Sequence, residues 1–221
     1  MKNVFLGNTI CLISIITSED YIYKTILAMK KSLDLFTPTE AILICPPNNY
    51  NGNWYGIKQI NLNINHNDYS RWIVQELYKY INCDYCITMQ WDSCVLDGLK
   101  WNNDFLSFSY IGACWTNPWP NRVGNGGFAL RSKRFLEETS KLNYQKTDNF
   151  ILNNEDVFSC VLNYDKLTLL GIRFAPLMLA RQFSVERPIP EAPHDYNDIS
   201  TYNSFASHGE FNLKMMEYIN G

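Results

Sequence analysis

The sequence predicts an α/β domain with a largely parallel central sheet and helices on its faces. Three features carry that expectation. Short apolar runs alternate with helical patterns through the first half, in the order β-α-β-loop-α-β. One of those runs closes on an acid, Asp92. A glycine-rich stretch from Val123 to Ser132 then precedes an acidic pair, Glu155-Asp156, at the start of a helical pattern.

Thr9 to Thr17 reads as a buried first strand, because Ile10 to Ile16 is apolar and rich in β-branched Ile. Ser18-Glu19-Asp20 caps a helix running to about Leu33, with Ile22, Ile26, Met29 and Leu33 on one face. Ala41 to Cys45 is a short strand stopped by Pro46-Pro47, and Asn48 to Asn53 is a polar loop. Asn67-Asp68 opens a second helix with Trp72, Ile73, Leu77 and Ile81 inward, and Tyr85 to Trp91 is the next strand. In such sheets ligands gather beyond the strands' carboxyl ends. Thr17-Ser18 and Trp91-Asp92 fall at such ends.

The second half changes character. Strand-like Tyr110 to Cys114 leads to a Pro- and Gly-rich segment, Trp115 to Gly127. Phe128 to Arg131 reads as a short strand, and Ser132 to Leu142 and Glu155 to Leu162 as helices. Ile172 to Glu186 gives two strand pieces around Pro176. A loop with Pro188, Pro190 and Pro193 then extends to a terminal helix near Phe211 to Ile219. A loop that long is usually functional or mobile. Residues 1–221 are expected to form one domain.

The chain has 221 residues, 46% hydrophobic and 14% aromatic, with a formal net charge of −3. That balance excludes a disordered chain. The lack of a Lys/Arg block argues against nucleic acid or an anionic membrane as the main partner. No stretch is long enough to span a membrane. The seven Cys are odd in number and mostly in apolar contexts, which reads as buried, reduced thiols and a cytoplasmic compartment. Cys83-Asp84-Tyr85-Cys86 lacks the further ligands a zinc site needs. The abundance of Asn and Ile points to an A+T-rich genome, bacterial or viral.

Several residues have chemistry to offer, each with a plainer alternative. Asp92 can hold Mg²⁺ or Mn²⁺ against a diphosphate, since hard ions favour oxygen, or it can cap a turn. Gly124, Gly126 and Gly127 let backbone approach a ligand, or Asn125-Gly126 marks a β-turn. Arg131 and Arg134 can meet phosphate or sit solvated at a helix start. Glu155 and Asp156 can cap a helix, or one can be a general base. Thr17, Ser18, Ser70 and Arg71 can meet over the sheet's carboxyl edge to hold a donor's base and ribose. Of the three His, His66 sits in a turn, His194 in a loop, and His208 between small residues where it can complete a metal site.

Taken together, Gln90-x-Asp92-Ser93, Tyr110-Ile111-Gly112-Ala113-x-Trp115, Val123 to Ser132, Glu155-Asp156-Val157-Phe158, Phe183-Ser184-Val185-Glu186 and His208 resemble the glycosyltransferase-like family DUF5672. The resemblance covers roughly residues 70 to 210 in order. It implies the GT-A (Rossmann-like) fold, with a mainly parallel central sheet and a smaller mixed sheet portion. It also implies a UDP- or GDP-sugar donor, a carbohydrate or glycan acceptor, and Mn²⁺ or Mg²⁺. By it, Asp92 and His208 are assigned to metal, Asp156 to the base and Glu155 to acceptor orientation or an alternative base. From their place at the sheet's carboxyl edge, Thr17, Ser18, Ser70, Arg71, Gln90, Trp91 and Asp92 are expected to hold the donor. Trp115, Gly124, Asn125, Gly126 and Gly127 are assigned to the sugar or acceptor. Where many GT-A enzymes carry Asp-x-Asp, this chain has Gln90 at the first position.

The expected reaction is sugar transfer to an acceptor hydroxyl with inversion. A metal or cations would stabilise the departing diphosphate. A carboxylate on the opposite side of the sugar would take the hydroxyl proton. A nucleotidyltransferase would want a basic, Gly-rich loop after the first strand, where Thr17-Ser18-Glu19-Asp20 is acidic. A catalytically silent carbohydrate-binding module would not need Asp92 together with Glu155-Asp156.

Overall fold

The computed structural model describes residues 7–48, 54–210 and 213–220. Ile10–Ile15 forms β1, buried at every position. Its one hydroxyl is satisfied, as Ser14 Oγ donates to the Met89 carbonyl at 2.7 Å. A 3₁₀ turn at Glu19–Tyr21, capped by Ser18, leads into α1, Ile22–Leu35. Ile22, Ile26 and Met29 are buried on its inner face as expected. Glu40–Cys45 is β2.

Ile57–Asn61 is β3, a strand its polar sequence did not announce. It is a sheet edge, where polar side chains are the usual protection. The loop expected from Asn48 lies mostly outside the described residues. The second helix is interrupted: α2 covers Tyr69–Gln75, between 3₁₀ turns at His66–Asp68 and Leu77–Tyr80. Ile73, Leu77 and Ile81 still face the core. Tyr85–Met89 is β4, two residues shorter than expected: Gln90 N still donates to the Gly127 carbonyl at 3.0 Å, but the chain then turns, with Ser93 N donating to the Gln90 carbonyl at 3.2 Å.

Ser93–Val95 is β5 and Tyr110–Cys114 is β6. Val123–Ser132 is β7, ten buried residues. This corrects the sequence expectation: Gly124, Asn125, Gly126 and Gly127 form neither a loop nor a β-turn but the first half of a strand. Ser132 caps α3, Lys133–Ser140, accepting from Phe135 N at 3.1 Å. Glu155–Val157 is α4, which continues as a π-helical turn to Leu162, and Tyr164–Leu169 is α5.

Of the strand pieces expected around Pro176, only a parallel bridge at Phe174 and the short strand Ser184–Val185 remain, and the segment between them is helical. Leu177–Phe183 is α6, with Pro176 at its N-cap and the Pro176 carbonyl accepting from Leu179 and Ala180 at 3.0 Å each. Leu177-Met178-Leu179-Ala180-Arg181-Gln182 contains no β-branched residue and is made of strong helix formers. Proline here starts a helix instead of breaking a strand. Ser184–Val185 is β8, Ala206–His208 is β9 and Leu213–Asn220 is α7. His208 therefore ends a strand, not a turn between small residues.

The main sheet has the order β3-β2-β1-β4-β7-β6, and a small sheet has the order β5-β9-β8. The β3-β2, β2-β1 and β1-β4 pairs are parallel, while β7 runs antiparallel to both β4 and β6. One face packs on α1, α6 and α7, and the other on α2, α3 and the turn after α4. The chain leaves β1 for β2 on one side and returns to β4 on the other, so a crevice opens between their carboxyl ends. Because β7 is antiparallel, its glycine-rich start lies at that same edge, next to Met89 of β4.

Candidate active site

Three adjoining cavities run along this edge. The first, about 290 Å³, is lined by Ile15, Ile16, Thr17, Ser18, Tyr21, His66, Tyr69, Gln90 and Trp91. The second, about 270 Å³, shares Tyr69 and Gln90 and adds Ser70, Asn125, Gly127, Asn154, Glu155, Asp156 and His208. The third, about 230 Å³, shares Asn125, Asn154 and Asp156 and adds Trp115, Thr116, Asn117, Trp119, Ile151, Val157, Glu186 and Arg187. Shared walls make them one groove.

In the first cavity Thr17 Oγ1 and His66 Nδ1 share a hydrogen bond at 3.0 Å. Tyr21 packs on Trp91 with ring centroids 5.3 Å apart, and Lys24 Nζ lies 5.0 Å from the Trp91 ring. Tyr69 and Ser70 face the groove. Arg71 lines none of these cavities; about half its side chain is exposed, and Nε lies 3.5 Å from Asp68.

The turn after β4 is closed by Ser93, not by Asp92. Ser93 Oγ accepts from Gln90 N at 3.0 Å and donates to the Gln90 carbonyl at 2.8 Å. Asp92 is 7% exposed and receives the end of β9 instead. Its carbonyl accepts from Gly209 N at 2.9 Å and its Oδ2 from Glu210 N at 3.0 Å. Asp92 Oδ1 is buried without a hydrogen bond, 3.5 Å from His208 Nε2. That same nitrogen lies 3.2 Å from Gln90 Oε1. Among the described residues no cluster of three or more His, Cys, Asp or Glu is placed to hold a metal. Asp92 and His208 are nevertheless close enough for one ion, about 2 Å from each, to bridge them. All seven cysteines are buried free thiols, and Cys83 Sγ donates to Glu40 Oε1 at 3.4 Å.

The acidic pair divides into two roles. Glu155 is buried, and its Oε1 accepts from Arg131 Nη2 at 3.1 Å. Arg131 is only 3% exposed, so it is neither a solvated cation nor open to a ligand phosphate. Arg134 instead donates to the Leu170 carbonyl. Asp156 borders both the second and third cavities, and its Oδ2 accepts from Gly126 N at 2.9 Å. Burial, and then the charge of Glu155, push its carboxyl up to about 7, against the helix-dipole preference for ionisation.

The glycines make room for side chains. A Cβ on Gly124 would lie 2.3 Å from the Trp115 ring, one on Gly126 2.4 Å from Glu155 Oε1, and one on Gly127 2.1 Å from His208 Nε2. Asn125 is pinned between them, donating to Glu186 Oε2 at 2.9 Å and accepting from Gly127 N at 3.0 Å.

Tyr69, Asn154, Trp119 and Arg187 line the groove without having been singled out, and Glu186, quoted above only as part of the resemblance, lines it too. Tyr69 had a signal, since it adjoins Ser70 at the same helix start. Successive helical residues turn by about 100°, so the cleft side is set by Tyr69 and Ser70, and Arg71 turns to solvent.

The sheet order, the crevice at the β1/β4 switch and the small second sheet define a GT-A-type glycosyltransferase fold. A galactosyltransferase, LgtC, solved with donor and acceptor sugar analogs aligns over 95% of both chains at 14% identity with a TM-score of 0.54. An active-site mutant of LgtC aligns over 95% of both chains at 15% identity with a TM-score of 0.52. No curated protein matches the sequence significantly. The model of the family described as "Protein of unknown function (DUF5672)" matches residues 57–208, well over half of the chain. The chain belongs to that family. Among the described residues no helix is long and apolar enough to cross a membrane.

Proposed function

We propose that the chain is a nucleotide-sugar-dependent glycosyltransferase that acts with inversion on a glycan acceptor. One observation carries this reading: Asp156 stands on the wall shared by the second and third cavities, where a transferred sugar would meet an acceptor hydroxyl. The fold held in common with a galactosyltransferase that binds donor and acceptor sugar analogs supports it.

In this reading the first cavity takes the nucleoside of a UDP- or GDP-sugar. Thr17, Ser18 and His66 offer polar contacts there, Trp91 an aromatic wall, and Lys24 a cation at its side. The diphosphate lies beside Gln90. Asp92 and His208 are the residues that would hold Mn²⁺ or Mg²⁺, a Lewis acid for the leaving diphosphate. The buried, unsatisfied Asp92 Oδ1 fits that role. With so few protein ligands, phosphate oxygens and water would complete the ion's shell. The sugar lies over Asn125 and Gly127, and the acceptor packs among Trp115, Trp119 and Asn154. Asp156 takes the acceptor's proton, and a carboxyl that titrates near neutrality is suited to that task.

Thermal shift with UDP, GDP, CDP and ADP, each with and without Mn²⁺, tests the donor half. Stabilisation by one nucleotide names the base; stabilisation by none favours a carbohydrate-binding module. Transfer from the matching sugar nucleotide, with the product's anomeric configuration read by NMR, tests inversion. A product of retained configuration removes Asp156 as the base.

A further inference from the structure

Three charged side chains meet over one missing Cβ. A Cβ on Gly126 would lie 2.4 Å from Glu155 Oε1, 3.0 Å from Arg131 Nη2 and 3.3 Å from Asp156 Cβ. Arg131 comes from β7, four residues beyond Gly127, and its guanidinium lies 5.5 Å from the Tyr110 ring. Tyr110 is itself fixed, its hydroxyl donating to the Gly124 carbonyl at 2.5 Å. Arg131 has five donors. Nη2 binds Glu155, while the buried Nε makes no hydrogen bond.

We propose that Arg131 is a positioning residue for the acid on the groove wall. By clamping Glu155 against Gly126, it holds α4 so that Asp156 reaches the Gly126 N–H, and it sets how tightly Asp156 holds a proton. The inference deepens the role proposed for Asp156 as base, but it is measurable without any substrate.

The electrostatic reasoning is short. Glu155, its chain neighbour, favours protonated Asp156, and Arg131 favours the ionised form. Tyr69 of α2, Tyr110 of β6 and Cys160 in the turn after α4 also face this cluster and are neutral near pH 7, because burial raises each of them. Glu186, Arg187 and His208 stand on the groove's other walls. The two formal charges of the cluster thus act on Asp156 with opposite sign, Glu155 the more strongly and Arg131 the more weakly. Removing either one should move Asp156, in opposite directions. Removing both should leave it between the two single changes, on the Glu155 side. A clamp that only braced the fold would show no such sign reversal.

The experiment follows the Asp156 carboxyl by ¹³C NMR across pH, with the resonance assigned by its loss in Asp156→Asn. Arg131→Met should raise the midpoint, and Glu155→Gln should lower it by a larger amount. Arg131→Lys should return it toward wild type. Lone removal of a buried charge's partner can unfold a protein, whereas replacing both by apolar residues is often neutral. The Arg131→Met/Glu155→Met double variant therefore keeps the test open if Arg131→Met fails to fold, and its midpoint should lie above that of Glu155→Gln and below wild type. Unchanged midpoints, or shifts of the same sign in the two single variants, overturn the proposal. Opposite shifts in a protein that transfers no sugar would leave it standing and sink the glycosyltransferase reading alone.

Discussion

Gln90 Oε1 and His208 Nε2 lie 3.2 Å apart although 118 residues separate them in the chain. Gln90 Oε1 and Asp92 Oδ1 thus converge on one His208 nitrogen, at 3.2 and 3.5 Å. Mn²⁺-dependent stabilisation by a nucleoside diphosphate should vanish in Asp92→Asn and His208→Ala. Gln90→Glu should tighten Mn²⁺ binding by about tenfold, because hard cations favour carboxylate oxygen over an amide. Calorimetry with Mn²⁺ and nucleotide checks both. Nucleotide binding that EDTA leaves unchanged would make the site metal-independent.

Arg71 and Trp91 should separate cleanly. Arg71→Ala should leave nucleotide affinity nearly unchanged, since its side chain is half exposed and already beside Asp68. Trp91→Ala should cost roughly 1–3 kcal/mol, the usual scale of base stacking on an aromatic ring. A large loss in Arg71→Ala would place the nucleotide outside the first cavity.

Asp156→Asn should lower kcat by about 10²–10⁴ while donor binding persists. Glu155→Gln should act more on acceptor KM. Steady-state kinetics with the acceptor in hand reads this. Wild-type turnover by Asp156→Asn together with a dead Glu155→Gln would exchange the two roles.

Stability should carry two opposed pH slopes. Asp156 titrates near 7 in the fold, above its ordinary 3.8, so the folded state holds more protons between those values. Stability from this group falls as pH rises through that window. His194, buried against Tyr202 and near Arg181, is pushed down to about 4 from 6.5. There the unfolded chain holds more protons, and stability rises with pH between those values. Asp156→Asn should therefore unmask a gain of roughly 1–3 kcal/mol from about pH 4 to 6.5. His194→Gln should unmask the decline. Urea unfolding at each pH measures both, and wild-type profiles in the two variants would refute the paired shifts.

Gly127→Ala should destabilise by about 1–3 kcal/mol through overpacking against the His208 ring. It should also weaken Mn²⁺ binding, whereas Gly124→Ala, which meets Trp115, should spare the metal and weaken the acceptor. Mn²⁺ titration of both variants tells them apart.

The parallel half of the fold was legible because its strands are buried on both faces and read as continuous apolar runs, as in Ile10–Ile15. The edge strand β3 was not, since Lys58, Gln59 and Asn61 carry no such signal. Gly124 to Gly127 misled for a related reason: the side chains that fill the space over them come from elsewhere, Trp115 after the neighbouring strand and Glu155 and His208 distant in sequence. Asp92, Glu155 and Asp156 could be found as acids at element ends. The Arg131–Glu155 contact could not, because nothing local distinguishes a buried arginine from a solvated one at a helix start.

The missing Cβ atoms on β7 also act as a proofreading device for the sheet. Each glycine receives a different incoming side chain, and β7 is paired on both edges, with β4 and with β6. A slip of one residue would turn Asn125 toward a space meant for a glycine and exchange the faces of every neighbour. Trp115, α4 and β9 could not then close onto the strand. Only the chain that pairs in the correct register can assemble the groove, so a molecule with an intact site certifies its own folding.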